Sequence, residues 1–221
     1  MMSTKSSNSV DSQEAPPRGS RIVRLALIGE GLLALISVPW FFGEPERACF
    51  GWGAQELLWG IFGAVPLLLA SFSLSILTER TVMLKGSLFG RRLLEFQEKY
   101  VRPLCLALSP SQAFIVGIAS GLGEELFFRG LLTWCFLLLL PAELGILAIN
   151  VIFAAVHFIG KLRHFAPLLL LYTVAGLYFS FLTQWSGSIL TAIVCHALFN
   201  FVSIVANARL SPQKEQSEPT L

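Results

Sequence analysis

The longest apolar stretch of the chain covers residues 110–140 and reads PSQAFIVGIASGLGEELFFRGLLTWCFLLLL. Ser109 and Gln112 form the pattern of a capping box, with proline at the first helical position, so a helix is predicted to begin here. As a single helix the stretch would be about 46 Å long, whereas the hydrocarbon core of a bilayer is about 30 Å thick. We therefore expect it to tilt, protrude or break near Gly121 and Gly123.

The composition indicates that this stretch belongs to a membrane protein. Of the 221 residues, 54% are hydrophobic and 14% are charged, whereas soluble domains have about 45–50% apolar and about 25% charged residues. Five further stretches are apolar and long enough to be spans, at 25–42, 57–78, 143–160, 165–184 and 188–207. We predict an all-α fold, a polytopic transmembrane helix bundle with six or more spans.

The basic residues predict how the spans are oriented. Fourteen of the 16 Lys and Arg residues lie in segments that six spans would place on one side of the membrane, as the positive-inside rule expects when both termini are cytoplasmic. Arg47 would lie on the other side. A shorter apolar piece at 86–94 carries several basic residues and is predicted to be interfacial. The expected organisation is a polar tail at 1–20, one membrane domain at 21–208 and a polar tail at 209–221.

The sequence also excludes several classes of function. The net charge is +2 and no dense basic cluster lies beside aromatic residues, which argues against nucleic-acid binding. Asp11, in the polar N-terminal tail, is the only aspartate, so no mechanism can use an aspartate within the membrane. No His is followed by Glu, so the zinc-protease motif His-Glu-x-x-His is absent. Composition leaves a serine–histidine dyad open, although no Gly-x-Ser-Gly turn is present.

Several ionisable side chains lie within the predicted spans, where each charge costs about 2.5–3.5 kcal/mol on insertion scales. Glu124, Glu125 and Arg129 fall within six residues of one another. Glu125 and Arg129 are four residues apart and can pair on a helix, which leaves Glu124 without a partner on its own helix. The alternative is that these charges only fix helix packing. Glu30 is isolated on the first span, and we favour a structural, bundle-facing role for it.

Two other predicted spans carry polar groups on one helix face. Asn150, Phe153 and His157 share a face, and His196 and Asn200 are four residues apart. A lone histidine in a membrane is often a packing residue, but two of them beside a surplus carboxylate favour a common wet cavity inside the bundle. A carboxylate, two imidazoles and an amide suit activation of water by a base and stabilisation of an oxyanion. We therefore predict that an active site lies inside the bundle.

These residues resemble the three motifs of the CPBP family, which comprises type II CAAX prenyl endopeptidases and bacteriocin-processing or self-immunity proteins. The motifs lie within residues 124–200, and they read Glu124-Glu125-x-x-x-Arg129, Phe153-x-x-x-His157 and His196-x-x-x-Asn200. Each motif alone is weak, but all three in order, each inside a hydrophobic stretch, form a specific pattern.

The resemblance implies an intramembrane endopeptidase, a class long described as metal-dependent. It implies that Glu124 and His157 activate the attacking water, and that His196 and Asn200 stabilise the oxyanion. Glutamate and histidine are good zinc ligands, so Glu124, His157 and His196 are the set that would hold a metal ion. The resemblance to the prenyl endopeptidases favours the glutamate-driven mechanism without a metal or other cofactor.

The resemblance also implies supporting residues and a class of substrate. Arg129 would hold Glu125 by a salt bridge, and Phe153 would pack beside the site. The expected substrate is a membrane-associated protein or peptide cut near its C-terminus: a peptide or sorting tail, a bacteriocin precursor or, ranked lower, a prenylated CAAX tail. Cysteine usage and short loops favour a bacterial inner membrane as the location.

Two alternative functions remain open at this stage. The first is a non-catalytic membrane scaffold or bacteriocin self-immunity protein of the same fold. The second is a transporter or proton relay, because chains of Glu and His also mark ion paths. The sequence shows no paired repeat of broken helices, which argues against a transporter.

Overall fold

The structure, a computed structural model, describes residues 18–43 and 53–210. Within these ranges the chain is almost entirely helical and forms no strand, which confirms the predicted all-α membrane fold. Twelve α-helices are present there: α1 Arg18–Ile36, α2 Val38–Gly43, α3 Ala54–Arg80, α4 Val82–Gly86, α5 Leu88–Phe96, α6 Arg102–Ala107, α7 Pro110–Glu125, α8 Thr133–Leu137, α9 Ala142–Val156, α10 Leu162–Phe165, α11 Leu169–Ser186 and α12 Ile189–Leu210. Shorter helical turns join some of them, two of π type at Gln97–Val101 and Leu126–Leu132 and one of 3-10 type at Ala166–Leu168.

The number of spans is lower than predicted. Among the described residues, four helical stretches are long and apolar enough to cross a membrane: Arg18–Trp40, Ala54–Arg80, Leu162–Ser186 and Ile189–Leu210. The number rises to five if Leu88–Ala107 and Pro110–Leu137, which meet at 116°, form one broken span. The predicted six or more spans are therefore too many.

The helix α9 accounts for part of the difference. The apolar stretch at 143–160 predicts a full span, but α9 has 15 residues and ends at Val156. A helix of that length is about 23 Å long and does not reach across a hydrocarbon core of about 30 Å. A turn that contains Gly160, with φ of 78°, follows it.

The 110–140 stretch also departs from a single helix. Its start is as predicted: the Ser109 hydroxyl accepts from the Gln112 backbone N–H at 3.3 Å, and the Gln112 side chain accepts from the Ser109 backbone N–H at 3.0 Å. The regular α-helix ends at Glu125, just after the glycines at which a break is predicted, and the chain continues as a π-helical turn. Such turns are frequent at functional sites.

The helix α12 packs against α7, α3 and α11, while α1 covers α7 and α9 packs on α11. Small residues bring α7 and α12 close together, as is common between membrane helices. A Cβ atom at Gly121 would lie 2.8 Å from both the Ala197 nitrogen and the Ile193 oxygen. The α7–α12 contact therefore places the first and third motifs side by side.

The outer surface of the bundle is apolar. Large hydrophobic side chains such as Leu25, Phe62 and Leu170 are exposed there, as expected for helices whose solvent is lipid. The short helix α5 buries Leu93 and exposes Arg91, as expected of an interfacial helix. Asp11, Arg47 and most of the two predicted polar tails lie outside the described residues.

Candidate active site

Glu125 is the centre of a buried ion-pair network. Its side chain is fully buried, and Oε1 accepts from Arg129 Nη1 at 3.2 Å and from His196 Nδ1 at 2.7 Å. The predicted pair of Glu125 with Arg129 is thus confirmed, and His196 is bound to the same carboxylate oxygen. One buried acid therefore ties the first motif on α7 to the third motif on α12.

Arg129 extends this network to α9 and α11. Its Nη2 donates to Asn150 Oδ1 at 3.1 Å and to the Gly176 carbonyl oxygen at 2.9 Å. The guanidinium carbon lies 4.3 Å from the centroid of the Phe153 ring, which is a cation–π contact. A Cβ atom at Gly176 would lie 2.6 Å from Asn150 Oδ1, so a larger residue there would push these groups apart. Phe153 therefore packs on the network, as predicted for a residue beside the site.

Asn150 is a member of the network that the sequence did not identify as a site residue. Its Nδ2 donates to Ser180 Oγ at 2.9 Å and to the Ile146 carbonyl oxygen at 2.8 Å, while its Oδ1 accepts from Arg129. One signal in the sequence could have identified it: an amide side chain in an apolar helix, three residues before Phe153. Nothing in the sequence pointed to Ser180 or to the backbone of Gly176.

Glu124 and His157 face each other across a gap. Glu124 Oε2 lies 3.8 Å from His157 Nε2, and the two side chains are 15% and 27% exposed. His157 Nδ1 lies 2.7 Å from the Phe153 carbonyl oxygen, and because a carbonyl oxygen only accepts, Nδ1 carries the proton. In the neutral ring Nε2 then presents a lone pair to the carboxylate. Neither atom can donate to the other, so the pair is suited to a small molecule, such as water, that donates to both.

The end of α9 positions His157. The Phe153 carbonyl lies in the last turn of α9, where carbonyl oxygens lack partners within the helix, and the His157 ring supplies a donor to it. The Tyr172 ring on α11 packs on the imidazole with the ring centroids 4.7 Å apart. The sequence pattern gave no reason to select Tyr172. These two contacts hold Nε2 towards Glu124.

His196 and Asn200 both face α7, but they have different partners there. The buried imidazole of His196 stacks on Phe179 with the ring centroids 4.6 Å apart and an angle of 14° between the rings. Asn200 Nδ2 donates to Ser120 Oγ at 2.8 Å, one helical turn before Glu124. The structure therefore places the four predicted catalytic residues on or against α7, with Asn200 bonded to Ser120 and not to the Glu125 network.

The fit of a metal ion can be tested from the side chains themselves. In the part of the chain that the structure describes, no group of three or more His, Cys, Asp or Glu side chains is arranged to hold a metal ion. Glu124, His157 and His196, the set predicted for zinc, are not among such groups in the described residues. The side chains present therefore do not fit a zinc site.

These features define the class of the protein: an integral membrane helix bundle with a polar, partly accessible site between its helices. A family model described as type II CAAX prenyl endopeptidase Rce1-like matches residues 107–202, and this segment contains all three motifs. The match covers the segment that holds the three motifs and bears out the resemblance to the CPBP family. Neither the comparison with curated proteins nor the comparison with solved structures gave a match.

Proposed function

We propose that the protein is an intramembrane endopeptidase that hydrolyses a peptide bond near the C-terminus of a membrane-associated protein or peptide. The observation that carries the proposal is the gap of 3.8 Å between Glu124 Oε2 and His157 Nε2, two hydrogen-bond acceptors on partly exposed side chains inside an apolar bundle. The match of residues 107–202 to a CAAX endopeptidase model supports the same reaction class.

The first step is the activation of water. A water molecule that donates one hydrogen to Glu124 and the other to His157 keeps a lone pair free for the carbonyl carbon of the substrate. As the new C–O bond forms, the proton of the water passes to Glu124, which acts as the general base. General bases of this kind contribute about 10²–10⁴-fold to the rate.

The second step is the stabilisation of the oxyanion. His196 donates Nδ1–H to Glu125, and a second proton on Nε2, balanced by the negative charges of Glu125 and Glu124, makes that nitrogen a donor. The Asn200 amide gives one hydrogen to Ser120 and has a second available. Both are proposed to donate to the oxygen of the tetrahedral intermediate. The C–N bond then breaks as the nitrogen takes up one proton, which replaces the one that the water gave to Glu124, and the products are a carboxylic acid and an amine.

Glu125, Arg129 and Phe153 are positioning residues in this scheme. The buried carboxylate fixes the orientation of the His196 ring, and Arg129 fixes the carboxylate while linking it to α9 and α11. We propose that no metal takes part. Hydrolysis is therefore expected to continue at the wild-type rate after dialysis against a strong chelator of divalent metals, and its loss with recovery on added zinc would contradict this point.

The experiment that tests the proposal is substrate capture followed by cleavage. Glu124→Gln keeps the size of the side chain but removes the base, so it should retain membrane substrates that mass spectrometry then identifies. The wild-type protein should cleave these substrates in liposomes, and Glu124→Ala and His157→Ala should not. Folded variants of both positions that cleave at the wild-type rate would contradict the proposal. Biological function retained in cells by Glu124→Gln would instead favour a non-catalytic scaffold or immunity role.

A further inference from the structure

The Glu30 carboxyl lies against the candidate active site, although the sequence favours a structural role for it. The helix α1 covers α7 at Gly123, the residue directly before Glu124. A Cβ atom at Gly123 would lie 2.5 Å from the Glu30 carbonyl oxygen and 2.7 Å from Glu30 Oε2. Only glycine at this position allows α1 to approach closely enough for the Glu30 carboxyl to lie beside the first motif.

The carboxyl has no bonding partner of its own. Among the described residues, no group hydrogen-bonds to the buried Oε2 atoms of Glu30 and Glu124. Glu30 is nevertheless close enough to Glu124 and His196 for their charges to interact, and these are the two ionisable groups that face it within the described ranges. Buried polar atoms in structural roles are normally hydrogen-bonded. An orphan carboxyl oxygen at this place therefore points to a partner that arrives with the substrate.

Two neighbouring carboxyls inside a membrane do not both ionise, because like charges repel and there is little water to solvate them. Pairs of acids in such surroundings divide into one that keeps its proton and one that loses it, and that division assigns the acid and the base of a reaction. Glu124 faces His157 and the bridging water, so it is the ionised base. Glu30 lies on the other side and makes no ion pair among the described residues, and the nearby His196 is already bonded to Glu125, so Glu30 keeps the proton.

We infer that Glu30 is the general acid of the reaction, and that it contacts the nitrogen atom of the departing amine. The inference rests on the function proposed above. The water oxygen bonds to the carbonyl carbon while the water proton passes to Glu124. The C–N bond then breaks as the Glu30 O–H proton passes to the nitrogen. The products are a carboxylic acid and an amine, and Glu124 returns its proton to Glu30 through water once the products leave.

The test compares an amide with an ester. The probes are a farnesylated Cys-aliphatic-aliphatic-X peptide and the same peptide with an ester at the scissile bond, each in liposomes. An alkoxide leaves with far less need for a proton than an amine does. Glu30→Gln should therefore slow hydrolysis of the amide by about 10²–10⁴-fold but that of the ester by less than about tenfold. Glu124→Gln should slow both.

Glu56→Gln is the matched control. Glu56 on α3 also has a buried Oε2 atom without a hydrogen-bond partner in the described chain, but it takes no part in the site, so both probes should be hydrolysed at the wild-type rate. Amide hydrolysis by Glu30→Gln at the wild-type rate would overturn the inference while leaving the proposed function intact. An equal loss on amide and ester would also overturn it, since Glu30 would then act through Glu124.

A second measurement needs no substrate. Infrared spectra of the wild-type protein in liposomes at neutral pH should contain the C=O band of a protonated carboxyl that Glu30→Gln removes and Glu56→Gln retains. Identical bands in the wild type and Glu30→Gln would overturn the inference. Wild-type protein that hydrolyses neither probe would count against the proposed function with prenylated peptides, and the infrared band would still decide whether Glu30 holds a proton.

Discussion

The molecule contains two clusters in which one glutamate joins an arginine to a histidine, and they lie in opposite surroundings. The buried cluster consists of Glu125, Arg129 and His196, whose side chains are 0%, 1% and 6% exposed. The outer cluster consists of Glu95, Arg92 and His164, whose side chains are 23%, 30% and 42% exposed. In both, the glutamate lies within 3.2 Å of the arginine and the histidine, and Glu95 also binds Lys99 at 2.8 Å.

The comparison shows that the surroundings, and not the residue types, decide what such a cluster does. Charges on a surface lose much of their attraction to water and salt, and the pair contributes little to stability. Charges inside the bundle have given up their water, so removing one partner leaves the other uncompensated. The outer cluster bonds α5 to α10, whereas the buried cluster fixes the orientation of a proposed catalytic histidine.

The largest expected effect is on stability when each arginine is replaced by methionine. Arg129→Met removes the buried cation that donates to Glu125, Asn150 and the Gly176 carbonyl, leaves these acceptors unpaired and should lower the free energy of unfolding by about 3–5 kcal/mol. Arg92→Met should lower it by only a small fraction of that. Thermal unfolding in detergent, followed by tryptophan fluorescence, measures both. Similar losses in the two variants would show that the comparison is wrong.

The second prediction concerns activity and the two glutamates. Glu125→Gln keeps an oxygen acceptor but removes the charge that balances a protonated His196, so peptide hydrolysis should fall by about 10–100-fold. Glu95→Gln in the outer cluster should leave hydrolysis unchanged. The measurement is the rate at which each variant hydrolyses a substrate captured with Glu124→Gln. An unchanged rate for folded Glu125→Gln would mean that the buried cluster does not act on the proposed chemistry.

A smaller effect is expected for the amides that border the two clusters. Asn150→Leu removes the acceptor for Arg129 and the donor to Ser180, which should cost about 1–3 kcal/mol of stability. Gln97, which donates to Ser75 at 2.8 Å near the outer cluster, is the control, and Gln97→Leu should cost less. Chemical unfolding in mixed micelles measures the loss of stability in each of the two variants. A larger loss from Gln97→Leu would reverse the expected order.

The smallest expected effect is the difference in how the stabilities of the two arginine variants respond to salt. Raising the ionic strength from about 0.1 M to about 1 M shortens the screening length from about 10 Å to about 3 Å. The stability difference between Arg92→Met and the wild type should then vanish, while the difference for Arg129→Met should persist. The same unfolding measurements at two salt concentrations test this, and a salt-sensitive Arg129→Met difference would place water in the buried cluster.

Contacts within one helix could be predicted from the sequence, and contacts between helices could not. The Ser109 capping box and the Glu125–Arg129 pair follow from fixed helical spacing. The bond between His196 and Glu125 joins residues far apart in the chain, so only the packing of α7 on α12 reveals it. The Gly176 carbonyl is a backbone group, which has no signature in a sequence.

The number of spans was wrong for a related physical reason. Residues 143–160 are apolar throughout, but the chain turns after Val156, and the His157 side chain bonds to the Phe153 carbonyl at the end of the helix. The turn that follows α9 contains Gly160 at φ of 78° and leaves the segment as apolar as before. Composition therefore predicted a membrane helix here correctly but not its length.

The short α9 also affects the lipid around it. Acyl chains of ordinary length would extend about 7 Å beyond the 15 residues of this helix, so the leaflet next to α9 must become thinner there. A thinned leaflet brings the aqueous phase down towards the end of α9, where His157 lies. Local deformation of the membrane would in this way supply the hydrolytic water, and a bilayer of shorter lipids should hydrate the same place more readily.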